Sequence, residues 1–262
     1  MDQAASLRRM LAPRTTRRIA VLASERGAGA TTVALGLSHA LAMQGERVLL
    51  VDEDANARAT RLSGARPAGT LADVHAGRLS LEAAAGVSPQ GVLSVLPAGR
   101  PMPGAALPPA ANDFRSVLVD AGLDADGALS PLAGDAHNVL VVMRPELASI
   151  TAAYACIKRL HHLYAWRQFH LIVNLAASEA TVQAILRNLS RTASQYLGVE
   201  VLCAGWLPAD PLVARAAQLG RCVVDAFPAA PATAALRRSA GGIGAWPLRA
   251  DAAAPVAAPA MA

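Results

Sequence analysis

The chain has 262 residues, with Lys and Arg totalling 24 against 19 Asp and Glu, for a formal charge of +5. A hydrophobic fraction of 53% excludes a mostly disordered chain, and the length is ample for a buried core. The longest apolar runs are cut by Arg, Asp, Gly or Pro, and none approaches the roughly 20 residues that span a bilayer.

Strands and helices alternate along the sequence. Arg18 to Ala23 reads as a buried strand, followed by a glycine-rich turn and a helix from about Thr31 to Met43, which Gln44-Gly45 stops. Further strands are expected at Arg47–Val51, ending at Asp52; at Val92–Leu96; at Ser116–Val119, ending at Asp120; and at Asn138–Val142. Leu147 to Leu163 reads as a helix, Phe169–Val173 as a strand ending at Asn174, Glu179 to Leu197 as a helix, and Val199–Leu207 as a seventh strand. These strands are continuous apolar runs, not alternating ones, which predicts burial on both faces. The expected fold is α/β: a mostly parallel sheet of about seven strands with helices on both faces. Residues 97–111 read as a loop, and residues 241–262, rich in Gly, Ala and Pro, as a mobile tail.

In open α/β sheets ligands sit beyond the carboxyl ends of the strands. Ser24 to Thr32, Asp52, Asp54, Asp120 and Asn174 come from four strand ends and should converge there. The turn Gly27-Ala28-Gly29-Ala30-Thr31-Thr32 lies between strand and helix, where small residues let backbone N–H groups approach a phosphate and the helix dipole favours it. Thr31 is placed for a hydroxyl ligand to Mg²⁺, but the residue before it is Ala30, not the lysine of a P-loop; an ordinary tight turn remains the competing reading. Asp52, Asp54 and Asp120 can hold a Mg²⁺ shell or orient water for attack on a γ-phosphate, or they can simply cap the next turn.

These residues carry a resemblance. The chain resembles the MinD/ParA class of deviant P-loop ATPases and, within it, the FlhG (FleN) regulators of flagellar number and placement. Glu25-Arg26-Gly27-Ala28-Gly29-Ala30-Thr31-Thr32 is similar to the loop K-G-G-x-G-K-T-T, and Asp52-Glu53-Asp54 to the D-x-D after the second strand. Val117-Leu118-Val119-Asp120 resembles the Walker B strand, without the Pro that follows it in the family. Residues 144–154, from Arg144-Pro145-Glu146 to Tyr154, are similar to T-P-E-x-x-S-I-T-D-A-Y. Ile172-Val173-Asn174 resembles V-V-N, and Gly205-Trp206-Leu207-Pro208-Ala209-Asp210-Pro211 resembles G-x-I-P-x-D-P. The resemblance runs from about Ile19 to Arg238. It implies ATP with Mg²⁺ as cofactor, held by residues 27–32 and by Asn174 at the adenine; Thr31, Asp52 and Asp120 as metal ligands; and Asp54 as the catalytic carboxylate. It also implies a homodimer, peripheral membrane contact, and a cytoplasmic protein recruited to the inner membrane at the cell pole.

Asp2-Gln3-Ala4-Ala5-Ser6-Leu7-Arg8 is similar to the D-Q-A-x-x-L-R segment with which FlhG proteins activate the partner GTPase FlhF. Asp2, Gln3, Ala4, Leu7 and Arg8 are therefore candidate partner contacts, and Leu7, Met10 and Leu11 share one helical face, which suits a docking helix. The organisation implied is residues 1–16 as docking segment, 17–240 as nucleotide-binding domain and 241–262 as tail.

Two departures stand out. The two characteristic lysines of the ATPase family correspond to Glu25 and Ala30. A carboxylate about 5 Å from a phosphate charge repels it by about 3 kcal/mol at an effective dielectric of ~20. Loss of a phosphoryl-stabilising cation typically costs ~10³-fold or more in rate, so weak binding or slow hydrolysis is expected, with Arg26 a partial substitute. The amphipathic helix with which the family usually ends is not expected in residues 241–262: Ile243, Trp246 and Leu248 are the bulky apolar groups there, and Pro247 interrupts. Two other readings stay open. One is a nucleotide-free pseudo-ATPase acting as an interaction module; the other is a ParA-like DNA-segregation or cellulose-synthesis-associated ATPase, a class without the D-Q-A-x-x-L-R terminus.

The remaining polar residues have plainer readings. Cys156, Cys203 and Cys222 are widely spaced and odd in number, which indicates neither a disulfide framework nor a CxxC metal site; Cys156 and Cys203 read as core. His161 and His162 suit a helix C-terminus, and Ser149 and Thr151 either approach the site or cap their helix. The first twenty residues carry five arginines and no apolar stretch, so no secretory signal is read there. Lys158 is the only lysine, and scattered arginines with three each of Trp, Tyr and Phe do not indicate a nucleic-acid surface.

Overall fold

The computed structural model describes residues 16–99 and 106–249. The candidate partner contacts Asp2, Gln3, Ala4, Leu7 and Arg8 lie outside the described residues, as do residues 250–262.

The chain runs β1 (Arg17–Ala23), α1 (Ala30–Met43), β2 (Val48–Asp52), α2 (Arg58–Ser63), α3 (Leu71–His75), α4 (Leu81–Ala84), β3 (Gly86–Val87) and β4 (Leu93–Pro97). After a 3₁₀ turn at Pro109–Asp113 come β5 (Ser116–Asp120), α5 (Pro131–Gly134), β6 (Asn138–Met143), α6 (Leu147–Tyr164), β7 (Gln168–Ala176) and α7 (Glu179–Leu197). β8 (Glu200–Pro208), α8 (Pro211–Gln218), α9 (Val223–Ala226) and α10 (Pro231–Ile243) complete it.

The sheet has eight strands in the order β3-β4-β2-β5-β1-β6-β7-β8. Every pairing is parallel except that of β3 with β4; β3 is a two-residue edge strand additional to those expected from the sequence. Between their polar end residues the central strands are continuously apolar because both faces are covered. Along β1, Ala20 and Leu22 face the layer of α6 and α7, with Ile157, Leu160, Val182 and Leu186. Ile19 and Val21 face the layer of α1 and α10, with Val33, Leu37, Leu41 and Leu236. That second layer is tight at Gly36, where a Cβ would sit 2.6 Å from Leu236 Cδ1, so glycine allows α1 to approach α10.

At the amino ends of the strands the C-terminal segment is packed, and the domain runs past residue 240. α10 continues through Gly241 and Gly242 to Ile243, which is buried. The Arg17 guanidinium donates to Asn138 Oδ1 (2.8 Å) and to the carbonyls of Trp246 (2.9 Å) and Gly244 (3.2 Å). The Trp246 ring stacks on His170 at 3.8 Å, and Arg249 lies over Trp166 at 4.4 Å. A tail beginning at Gly241 is corrected by these contacts: two rings and a buried guanidinium hold a stretch whose composition alone suggested mobility. Cys156 is buried as expected, whereas Cys203 is exposed on β8, the outermost strand. Among the described residues no helix is long and apolar enough to cross a membrane.

Candidate functional site

The order of strands reverses around β1, and the glycine-rich loop leaves β1 there. Ser24 N–H continues the sheet by donating to Val142 O (2.9 Å), and Ala28 N–H donates to Glu25 O (3.2 Å). Gly29 is left-handed (φ 95°) and precedes α1 with no side-chain cap. The first-turn N–H groups of α1 thus have no intrahelical acceptor and no capping side chain, which is the donor array an anion uses.

Asn174 fixes the loop from below. Its Nδ2 donates to Ala28 O (2.9 Å), and its Oδ1 accepts from Leu175 N–H (3.0 Å). A Cβ on Gly29 would lie 2.3 Å from Asn174 Nδ2, so glycine is required twice, for its φ and for this contact. A second strut is Ser149, fully buried at the start of α6, whose Oγ accepts from Arg144 N–H (2.9 Å) and lies 3.1 Å from Ser24 Oγ. Thr151 instead donates to Leu147 O within its own helix.

Gly27, Gly29, Ala30, Thr31 and Thr32 line a crevice of about 340 Å³, together with Glu53, Asp54, Arg58, Asp120 and neighbouring small residues. Ala28 is buried beneath it, and Asn174, outside this lining, supports the loop through its bond to Ala28 O. Asp120, at the end of β5, is 5% exposed, and its Oδ2 has no hydrogen-bond partner among the described residues. Burial pushes its carboxyl up to about 7; a hydrogen bond from Thr31 opposes that, Asp52 and Asp54 add to it, and Arg58 opposes it. Burial likewise raises Glu53, against a hydrogen bond from Ser130 Oγ to Glu53 Oε1 (2.5 Å).

The three strand-end aspartates separate into different roles. Asp52 Oδ2 accepts from Thr60 N–H (2.7 Å) and Thr60 Oγ1 (2.8 Å), while Oδ1 accepts from Asp54 N–H (3.1 Å). Asp52 does not line the crevice, and both its oxygens accept hydrogen bonds that tie α2 to β2, the work of a cap. Asp54 is exposed at the crevice, with Oδ1 accepting from Asn56 N–H (2.8 Å). The orphaned Asp120 oxygen beside the Thr31 hydroxyl, with Asp54 in the same crevice, is a hard-oxygen donor set that fits Mg²⁺.

The basic groups are not where the sequence suggested. Arg26 is exposed and outside the crevice lining, and Glu25 is outside it too, so the repulsion expected from Glu25 is replaced by that of Glu53 and Asp54. Glu53, the middle residue of Asp52-Glu53-Asp54, and Arg58, which no motif marks, also line the crevice. Their position just after a strand-end aspartate is the only signal the sequence offers for them.

A family model described as the CobQ/CobB/MinD/ParA nucleotide binding domain matches residues 19–223. The chain belongs to this MinD/ParA family. The antiactivator FleN of Pseudomonas aeruginosa is 32% identical over 248 residues, spanning 89% of this chain and 88% of FleN, so this MinD/ParA chain is FleN (FlhG)-like. Its fold is that of MinD. The MinC:MinD cell division complex of Aquifex aeolicus matches with a TM-score of 0.70 at 23% identity, over 90% of this chain and 100% of that one. MinD with Mg-ADP from Pyrococcus horikoshii matches at 0.65 and 21%, over 87% and 96%. The MinD/ParA loop is thus present as a shaped cradle with neither of its lysines.

Proposed function

We propose that the protein is a regulator of flagellar number or placement that binds Mg·ATP in this crevice, turns it over slowly or not at all, and acts on an FlhF-like GTPase through residues 2–11. The observation that carries the nucleotide part is the pairing of an uncapped, left-handed-glycine loop with an unpartnered, buried Asp120 oxygen across one crevice. When bound, Mg·ATP would supply phosphate oxygens to the α1 N–H groups and a cation to Asp120 and Thr31. Asp54, at the crevice and hydrogen-bonded to its own turn, is the candidate for orienting water. In this reading nucleotide biases a monomer–dimer equilibrium, and the protein works in the cytoplasm, meeting the inner membrane peripherally at the pole.

The test is calorimetry of Mg·ATP on the purified full chain, with Mg·ADP as control. Binding tighter than about 100 μM, roughly −5.5 kcal/mol, is expected. No heat at millimolar ATP would leave the second reading, a nucleotide-free interaction module. The lining by Glu53, Asp54 and Asp120 against Arg58 favours that reading, as does an Asn174 amide already spent on the loop. For the partner, deletion of residues 2–11 should abolish stimulation of an FlhF-like GTPase and leave the circular dichroism spectrum unchanged; unchanged stimulation refutes the docking segment.

A further inference from the structure

We infer that Arg58, at the start of α2, supplies the phosphate-side positive charge that the glycine-rich loop has lost. The inference rests on the nucleotide reading above. Ala30 stands in the loop where the helix-side lysine would be, and Arg26, the one basic side chain of the loop, is outside the crevice. Arg58 is the basic residue among those lining it.

Its backbone is held firmly and its guanidinium is not. Asp52 Oδ2 binds both Thr60 N–H and Thr60 Oγ1, which anchors the first turn of α2 to the end of β2. Ala57 is left-handed (φ 49°) and turns the chain into the helix, and its carbonyl accepts from Arg61 N–H (3.0 Å). Arg58 is therefore delivered to the crevice by a braced corner. Its side chain is exposed, and among the described residues no hydrogen bond or ion pair engages it. The guanidinium is close enough to Asp120 to oppose the upward shift of that carboxyl.

The charges also identify the ligand form. The carboxyl groups of Glu53, Asp54 and Asp120 outnumber the one guanidinium, so a bare polyphosphate meets repulsion that Mg²⁺ relieves by cancelling two of its charges and taking carboxylate oxygens as ligands. A planar guanidinium presents paired donors in a fixed geometry that matches two phosphate oxygens, a pre-organisation that a lysine ammonium lacks. The geometry therefore points to a nucleoside polyphosphate taken as its Mg²⁺ chelate and clasped between the α1 N-terminus and Arg58.

Calorimetry of Mg·ATP on the full chain tests this with Arg58→Gln, Arg58→Lys, Arg26→Gln and the double variant Arg58→Gln/Ala30→Lys. A charged hydrogen bond to phosphate predicts that Arg58→Gln weakens Kd about tenfold or more. Arg58→Lys should lose less, and Arg26→Gln should stay within about twofold, as a surface change does. Restoring the loop lysine in the double variant should recover most of the affinity. Wild-type affinity in Arg58→Gln, an equal loss in Arg26→Gln, an equal loss in the Gln and Lys variants, or no recovery with Ala30→Lys each overturns the assignment. Absence of binding by the wild-type chain refutes instead the nucleotide reading beneath it, and this assignment with it. Because Arg58 is exposed, the thermal midpoint should be the same in the wild type and both single Arg58 variants; a lowered midpoint assigns the residue a structural role and overturns the proposal.

Discussion

Replacing Gly29 by alanine tests whether the loop is held in shape by the protein itself. Two costs can be separated. The first is conformational: Gly29 has φ 95°, and a Cβ in left-handed backbone costs roughly 1–2 kcal/mol. The second is steric: the new Cβ would lie 2.3 Å from Asn174 Nδ2, which must move and give up its hydrogen bond to the carbonyl of the fully buried Ala28. An unsatisfied buried acceptor costs about 1–3 kcal/mol, so Gly29→Ala should destabilise by about 2–5 kcal/mol in total. Gly27→Ala is the control, with φ 89° and nothing within 4 Å of its Cβ, and should cost only the first part. Urea denaturation followed by circular dichroism measures both. Adding Asn174→Ala to Gly29→Ala removes the collision, so the double variant should cost at least about 1 kcal/mol less than the sum of the singles. Equal costs for Gly27→Ala and Gly29→Ala, or strict additivity with Asn174→Ala, would refute the strut.

Acid should weaken the fold through His170. Burial first, then Arg17, holds its imidazole down at about 4, so between about pH 6.5 and 4 the unfolded chain binds a proton that the folded chain does not. Stability that is full above pH 6.5 should fall as pH drops through that window, by about 2–4 kcal/mol, and His170→Gln should flatten the fall. Trp246→Ala removes the ring stacked on His170 and should cost about 1–3 kcal/mol by urea denaturation; no loss would mean that the segment to Arg249 is not part of the domain.

The architecture was legible because it is written in short-range chemistry. Ile19 to Leu22, Leu49 to Val51 and Val139 to Val142 are apolar without alternation, and each proved to be a central parallel strand buried on both sides. Gly86–Val87 was not legible: two residues carry no periodicity, and the pairing with Val95 and Ser94 is a tertiary event. The glycine loop could be read as a cradle, but not what supports it, since Asn174 lies 146 positions away from Ala28. Cys203 misled because an apolar strand reads as core, whereas β8 is an edge. Arg58 is one arginine among many in the sequence, and only the corner made by Asp52, Ala57 and Thr60 brings it to the crevice.

Asp52 and Asp120 look interchangeable in sequence, each closing an apolar strand, and the structure makes them opposites. Asp52 accepts three hydrogen bonds, so both oxygens face donors, and the near-isosteric Asp52→Asn must turn an NH₂ toward an N–H or a hydroxyl. Leaving such buried donors unmatched costs about 1–3 kcal/mol each, and Asp52→Asn should destabilise by about 2–4 kcal/mol. Asp120 carries a buried oxygen with no partner, and its ionisation is already disfavoured by burial, so Asp120→Asn should leave the urea midpoint at pH 7 unchanged or raised. It should at the same time remove the Mg²⁺ dependence of nucleotide binding, which Asp52→Asn should keep wherever the protein remains folded. A lowered midpoint for Asp120→Asn comparable to that of Asp52→Asn would refute the division. The reasoning behind it is general for a strand-end carboxylate: one whose acceptors are filled by its own chain holds the fold, and one left buried and unmatched is what remains for a ligand to complete.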